Sequence, residues 1–147
     1  WQYARHMDDP EPYPSQGMRG PVVFVTNPYA GSDGDIVTAA AQNLNLGPVV
    51  GERSWGGVIG IDGRFDLVDG TSVTQPRYGF AFYRQGFDVE NHGTDPDIEV
   101  PLDPQDWESG DDLQLDVAVS EALARLKDTP AAVAPELPPP AWGASEE

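Results

Sequence analysis

The spacing of apolar positions changes twice along this chain, and each change predicts a different element. Residues 21–26 (PVVFVT) form a nearly continuous apolar run, as in a short strand buried on both faces. The run stops at Asn27-Pro28, a turn signal. Beyond Gly31-Ser32-Asp33-Gly34-Asp35, Ile36, Ala39, Ala40 and Leu44 fall at i, i+3, i+4 and i+8, one stripe of a helix ended by Gly47. From Pro48 the helical period is replaced by short β-type runs at 49–50, 58–61, 65–68, 71–74 and 78–83. Gly56-Gly57, Asp62-Gly63 and Asp69-Gly70 separate them, and both Asp-Gly steps are hairpin signals of the type I′ kind. Tyr78, Phe80, Phe82 and Tyr83 include an alternating set and read as core. Residues 112–127 return to the helical period. Leu115, Val119, Ala122, Leu123 and Leu126 form the stripe, with Asp111 and Asp112 at the positive N-terminus and Arg125 and Lys127 at the negative end.

These elements predict an α/β fold with short strands and two main helices. Residues 1–20, with Pro10, Pro12 and Pro14, read as an irregular lead-in from a longer chain. Residues 21–128 are the folded part, and 129–147 a Pro-rich acidic tail, disordered or polyproline-like. The 16 glycines and 15 prolines among 147 residues stay just below the ~25–30 % that signals low complexity. A folded, loop-rich core is therefore expected.

Composition removes several kinds of chemistry. With no cysteine, the chain has no disulfide scaffold, thiolate zinc site or cysteine nucleophile, and the cytoplasm fits best. No run approaches the ~18 apolar residues of a membrane span, and the opening WQYARHMDDPEP is no signal peptide. The 25 acids against 8 bases give a net charge of −17, which opposes binding nucleic acid through its phosphates. The acids cluster. Residues 85–124 hold no Lys or Arg but twelve acids, from Asp88 to Glu121. A solvated acidic face is the plain reading, and a field attracting cationic ligands the sharper one. Asp95-Pro96-Asp97 and Asp103-Pro104-Gln105-Asp106 lack the spacing of a calcium loop, so no metal is expected.

The most informative stretch is Thr26 to Asp35. A serine between a buried strand and a helix N-terminus has small neighbours, unpaired N–H groups aimed at it, and a dipole that favours an oxyanion. Ser32 could thus be a nucleophile with the Asp33 N–H as oxyanion donor. The plainer reading is a simple helix cap, since serine is a preferred cap, with Asp35 at N3 completing a box-like motif. Spacing alone leaves both open. Asp62 and Asp69 are most simply turn residues, and Arg77 and Arg84 are placed to pair with nearby acids.

Four segments in order, NPYAGSDGDI, GERSWGGVIGI, LVDGTSVTQPRYGF and GFDVENHGTDPDIEV, resemble the carboxyl-terminal catalytic domain of tricorn-type serine peptidases, relatives of the C-terminal-processing proteases. The resemblance covers roughly residues 21–126. It implies a crotonase/ClpP-like α/β core, Ser32 as nucleophile, and the Asp33 N–H as half of the oxyanion hole. It also implies that Glu90 is the carboxylate supporting a catalytic histidine through an intervening serine. Residues 21–128 are then the nucleophile-bearing part of a peptidase catalytic domain. Gly31, Trp55, Gly56 and Gly57 become candidate substrate-binding residues, the glycines letting backbone pass close. The resemblance further implies peptide substrates, no cofactor and a homo-oligomer.

Related Ser/Lys proteases carry a lysine where this chain has Gly57, and its only lysine is Lys127. A serine nucleophile therefore needs a histidine. The family's histidine stands beside a serine upstream of the nucleophile. His6 has no adjacent serine, and His92 lies two residues past Glu90 and reads as a surface turn residue. The base is accordingly expected in an upstream part of the protein outside this chain. A rival reading is a catalytically silent peptide-binding or assembly module of the same fold. An acyl-CoA enzyme of the crotonase type is a weaker third, resting on fold analogy.

Overall fold

The computed structural model describes residues 1–3 and 9–138, so His6 lies outside the described residues. The fold is α/β. Strand β1 (Phe24–Thr26) leads into helix α1 (Asp33–Asn43) and then β2 (Val49–Gly51), a βαβ unit. Strands β3 (Gly60–Asp62) and β4 (Gln75–Tyr78) follow, then β5 (Ile98–Glu99), α2 (Pro104–Ser109) and α3 (Leu113–Asp128). A parallel sheet has the order β1-β2-β5, with Phe24 opposite Val49 and Val50 opposite Ile98. Strands β3 and β4 make a separate antiparallel pair.

The sheet is small but covered at its centre. Val49 and Val50 project to opposite faces and both are fully buried. Helices α1 and α3 each pack on β1 and β2. Beside the sheet, Ala39 of α1 meets Val58 and Val89, with Ile36, Phe80 and Phe82 packed around them. Asp97 anchors the end of β2, accepting the Val49 N–H on Oδ2 (2.8 Å) and Gln42 Nε2 on Oδ1 (3.2 Å).

Several expectations are corrected. The run at 21–26 yields a three-residue edge strand with Val25 exposed, rather than a strand covered on both faces. Helix α1 ends before Gly47. Asn45 takes φ 52°, and the N–H groups of Asn45 and Leu46 bond back to Gln42 O and Ala41 O, a Schellman cap built on asparagine. The segments 65–68 and 71–74 form only a bridge between Asp66 and Ser72. Their turn is not type I′, because Asp69 keeps negative φ; Gly70 alone is left-handed, at φ 82°. The Thr71 N–H donates to Asp69 Oδ1 (3.0 Å) and holds that carboxyl below its usual range. Asp62-Gly63 makes no tight hairpin, since the partner of β3 lies beyond the 66–72 turn. Asp62 instead receives Arg77 (3.3 Å), whereas Arg84 bonds Asn43 and Asn45 rather than an acid. Tyr78 and Tyr83 are exposed, so only Phe80 and Phe82 of the aromatic set join the core.

A third helix, α2, was not expected. Its start carries Pro at its first position, and the Asp103 N–H donates to Asp106 Oδ2 (2.8 Å). Helix α3 has the expected ends, with Asp112 accepting the Leu115 N–H (2.9 Å), but the opposite burial. Gln114 and Ala118 face the sheet, while Leu115 and Leu123 are 51 % and 57 % exposed and Val119 and Leu126 are also open. Gln114 is held inside by donating to Val100 O (2.9 Å) and Glu52 Oε2 (3.3 Å). Past α3, residues 130–138 have no helix or strand, and the Ala132 N–H donates to Arg19 O (2.7 Å). Among the described residues no helix is long and apolar enough to cross a membrane.

Asp112→Ala removes the side-chain acceptor that caps the α3 N-terminus. A lost cap costs about 1 kcal/mol, so amide exchange at Leu115 should accelerate roughly fivefold if it opens by local fraying. Exchange measured by mass spectrometry or NMR on the variant and parent checks this.

Candidate active site

The parallel strand β1 delivers the chain into a turn whose last residue is Ser32. The Asn27 side chain accepts the Tyr29 N–H (2.9 Å), the Ala30 N–H donates to Asn27 O (2.9 Å), and the helix begins at Asp33. Ser32 itself adopts φ 55° and ψ −113°. That conformation is rare for a residue with a side chain, and positions so strained cost about 1–3 kcal/mol and cluster at functional sites. The hydroxyl is exposed and makes no cap hydrogen bond. The simple-cap alternative is therefore corrected: Ser32 does not satisfy the helix N-terminus with its side chain. Among the described residues the Asp33 N–H also has no hydrogen-bond partner. An uncommitted hydroxyl and an uncommitted donor thus stand side by side at the positive end of α1.

Asp35 differs even more from expectation. Its side chain does not close a capping box but turns into the fold and is 0 % exposed. Oδ1 accepts the Ser54 hydroxyl (2.5 Å) and the Gly56 N–H (2.8 Å). Ser54 Oγ in turn accepts the Thr94 N–H (2.8 Å), and the Ser54 N–H donates to Thr94 O (3.1 Å). One buried carboxylate therefore joins α1 to the 52–57 loop and to the 89–94 turn that carries Glu90. Residues 19 and 59 positions apart meet here, and no spacing signal in the sequence points to them.

The two outer segments also close on each other. The Asn91 N–H donates to Gly56 O (2.8 Å), and the Gly93 N–H to Val89 O (2.9 Å). A Cβ on Gly56 would lie 2.6 Å from Gly93 N, and one on Gly93 would lie 2.1 Å from Ser54 O. Both positions need glycine because backbone passes backbone there. Gly56 has both its N–H and its carbonyl engaged inside the fold, and so helps to scaffold the loop.

Trp55 supplies the adjoining surface. Its backbone N–H donates to Ala30 O (3.0 Å), tying the 52–57 loop to the Ser32 turn. A Cβ on Gly31 or on Gly57 would each stand 2.4 Å from Trp55 Cε3. The ring lies against both glycines yet is 67 % exposed. Next to it, the N–H and carbonyl groups of Gly57, Val58 and Ile59 have no partner among the described residues.

Glu90 is half-buried and lines a polar cavity of about 640 Å³ with Gln42, Gln85, Asp88, Asn91, His92, Gly93 and Asp95. His92 is committed elsewhere: Nε2 lies 3.0 Å from Asp95 Oδ2, and Nδ1 lies 3.4 Å from Arg53 Nη1. No group of three or more potential metal ligands occurs among the described residues. The structure thus brings Gly31, Ser32, Asp33, Trp55, Gly56 and Gly57 together, with the Glu90 turn tied to them through Ser54 and Asp35.

The strain at Ser32 is measurable. Glycine accepts φ 55° freely, whereas alanine keeps the conflict. Ser32→Gly should be more stable than Ser32→Ala by about 1 kcal/mol, read as the difference in chemical unfolding midpoints.

Comparison with known proteins places this architecture. The sequence model of peptidase family S41 matches residues 2–100. Tricorn protease homolog 1 of Streptomyces coelicolor is 57 % identical over 138 residues, 94 % of this chain and 13 % of that protein. The tricorn protease of Thermoplasma acidophilum is 46 % identical over 117 residues, 80 % of this chain and 11 % of the relative. The crystal structure of the tricorn protease superposes with a TM-score of 0.76 at 43 % identity, covering 86 % of this chain and 12 % of that one. The chain accordingly spans little more than a tenth of the length of these relatives. The strained serine turn, the βαβ unit that carries it and these matches lead to one conclusion: the chain belongs to peptidase family S41, and within it resembles the tricorn proteases.

Proposed function

We propose that this chain is the nucleophile-bearing part of a serine endopeptidase of the tricorn type, with a crotonase/ClpP-like core, acting on oligopeptides. The observation that carries the reading is Ser32: a strained residue with a free hydroxyl beside the free Asp33 N–H, in a chain of family S41. In the proposed reaction Ser32 Oγ attacks the scissile carbonyl carbon while its proton passes to a histidine. The oxyanion that forms accepts the Asp33 N–H, a donor already aimed from the helix N-terminus. Collapse breaks the C–N bond, the histidine returns the proton to the leaving amine, and an acyl-Ser32 ester remains. Water, deprotonated by the same histidine, then attacks the ester and releases the acid. Glu90 orients the base and stabilises its cationic form, acting through an intervening serine.

His92 is engaged with Asp95 and Arg53, and the chain covers 11–13 % of its relatives. Both facts support a base supplied by polypeptide outside residues 1–147. A peptide substrate is supported by the unpaired backbone groups of Gly57 and Ile59 beside Trp55, on either side of the buried Val58, where an extended chain can add as a strand. Gly31, Trp55 and Gly57 then border the bound peptide. The open apolar face of α3 supports burial against the remainder of such an enzyme or another copy in a homo-oligomer. No cofactor enters the scheme. A net charge of −17 weighs against nucleic-acid partners, and a cytoplasmic setting suits the cysteine-free composition.

In the full-length protein, Ser32→Ala should lower peptide turnover by at least ~10³-fold, as nucleophile removal does in serine peptidases, with the fold intact by circular dichroism. Glu90→Gln should lower kcat by ~10²–10⁴-fold. Unchanged turnover in Ser32→Ala would sink the reading. A serine-directed phosphonate separates it from a silent peptide-binding or assembly module. Labelling of Ser32 in the full-length protein supports the enzyme, and no labelling supports the module.

A further inference from the structure

We propose that Asp35 is a positioning residue for this site: through its buried Oδ1 it fixes the Gly56 loop and the Glu90 turn relative to Ser32. The inference rests on the peptidase reading and deepens it. Asp35 stands three residues after Ser32, on the first turn of the helix that Ser32 introduces. Its Oδ1 takes two donors from the facing loop, Ser54 Oγ at 2.5 Å and Gly56 N at 2.8 Å. Ser54 Oγ carries the connection one step further, to the Thr94 N–H at the close of the turn that holds Glu90. The Asp35 backbone joins too, its carbonyl accepting the Thr94 hydroxyl at 3.4 Å. Ser32, the Trp55–Gly57 rim and Glu90 follow or precede the paired strands β1, β2 and β5, and beyond the ends of those strands the Asp35 carboxyl gives them a shared fixed point.

A structural role alone would be served more cheaply by apolar packing, since a buried carboxyl loses its hydration. The carboxyl supplies what apolar contacts cannot: direction. Short hydrogen bonds to an acceptor restrict both distance and angle, and a displacement of about 1 Å at a catalytic group lowers rate about 100-fold. The other oxygen, Oδ2, is buried with no partner among the described residues. The two oxygens therefore divide cleanly, one doing all the positioning and the other making no bond. An amide in place of the carboxyl would keep the useful acceptor and place its NH₂ where no bond exists to be lost.

The test compares Ser32→Ala, Asp35→Ala, Asp35→Asn and Ser54→Ala in the full-length protein, by kcat and KM on a peptide substrate and by thermal unfolding. Asp35→Ala should lower kcat about 100-fold while KM changes less than about threefold, the signature of a lost transition-state arrangement. Asp35→Asn should recover kcat to within about tenfold of the parent, and Ser54→Ala should lose about tenfold. Parental kcat in folded Asp35→Ala overturns the proposal, and so does Asp35→Asn no better than Asp35→Ala. If Asp35→Ala does not fold, Ser54→Ala decides: a tenfold loss in a folded protein supports positioning, and parental kcat overturns it. Ser32→Ala with undiminished turnover instead removes the peptidase reading, and this proposal with it.

Discussion

The geometry around Ser32 depends on how a carboxyl group can be buried at all. Removing Asp35 from water is costly unless its oxygens are bonded; Oδ1 offsets part of that cost with the Ser54 hydroxyl and the Gly56 N–H, while Oδ2 has no partner among the described residues. Those bonds require the 52–57 loop to lie against the first turn of α1. The loop in turn requires the 91–94 backbone to approach so closely that Gly56 and Gly93 cannot carry side chains. Gly56, Gly93, Ser54 and Thr94 thus all meet around one buried acid. Weak secondary structure is tolerated here because the Asp35 and Ser54 side chains and single backbone bonds such as Asn91 N–H to Gly56 O hold the segments together.

The βα unit at 21–47 and the helix at 112–127 were legible because each depends on local rules: period, turn residues and terminal charge. Asp112 caps α3 as its position suggests. What was hidden depends on partners distant in the chain. The stripe Leu115, Val119, Leu123 and Leu126 satisfies every periodic criterion for a core-facing surface, yet the sheet is met by Gln114 and Ala118. Gln114 is admitted because Val100 O and Glu52 offer acceptors beneath it, and hydropathy does not register acceptors. Helix α2 was legible in principle, since Asp103-Pro104 followed by Asp106 is a start signal in six residues, too short for periodicity to show.

The site divides along the same line. Ser32, Asp33, Trp55, Gly57 and Glu90 could be singled out from motif resemblance, and the first four gather around one helix end. Propensity makes Ser32 read as a plain cap, because it records how often serine caps helices and not the φ of 55° that this serine holds. Asp35 reads from the sequence as the N3 residue of a capping box, and Ser54 and Thr94 as ordinary residues, because the bonds that join the three run between positions far apart in the chain. Gly56 is the instructive intermediate. Its type suggests a close backbone approach, and the 92–93 backbone of the protein makes one there.

The outward apolar stripe of α3 and the net charge of −17 belong together physically. Leucines in contact with water favour indiscriminate association, and a chain with so strong an excess of carboxylates repels its own copies. The repulsion acts over about 8 Å at physiological ionic strength, whereas apolar contact acts only on touching. A closely fitting neighbour gains contact area that a random encounter does not, so coulombic repulsion filters associations by fit. Raising the salt shortens the range of that filter and leaves the leucines unchanged, so ionic strength sets how selectively this face is covered.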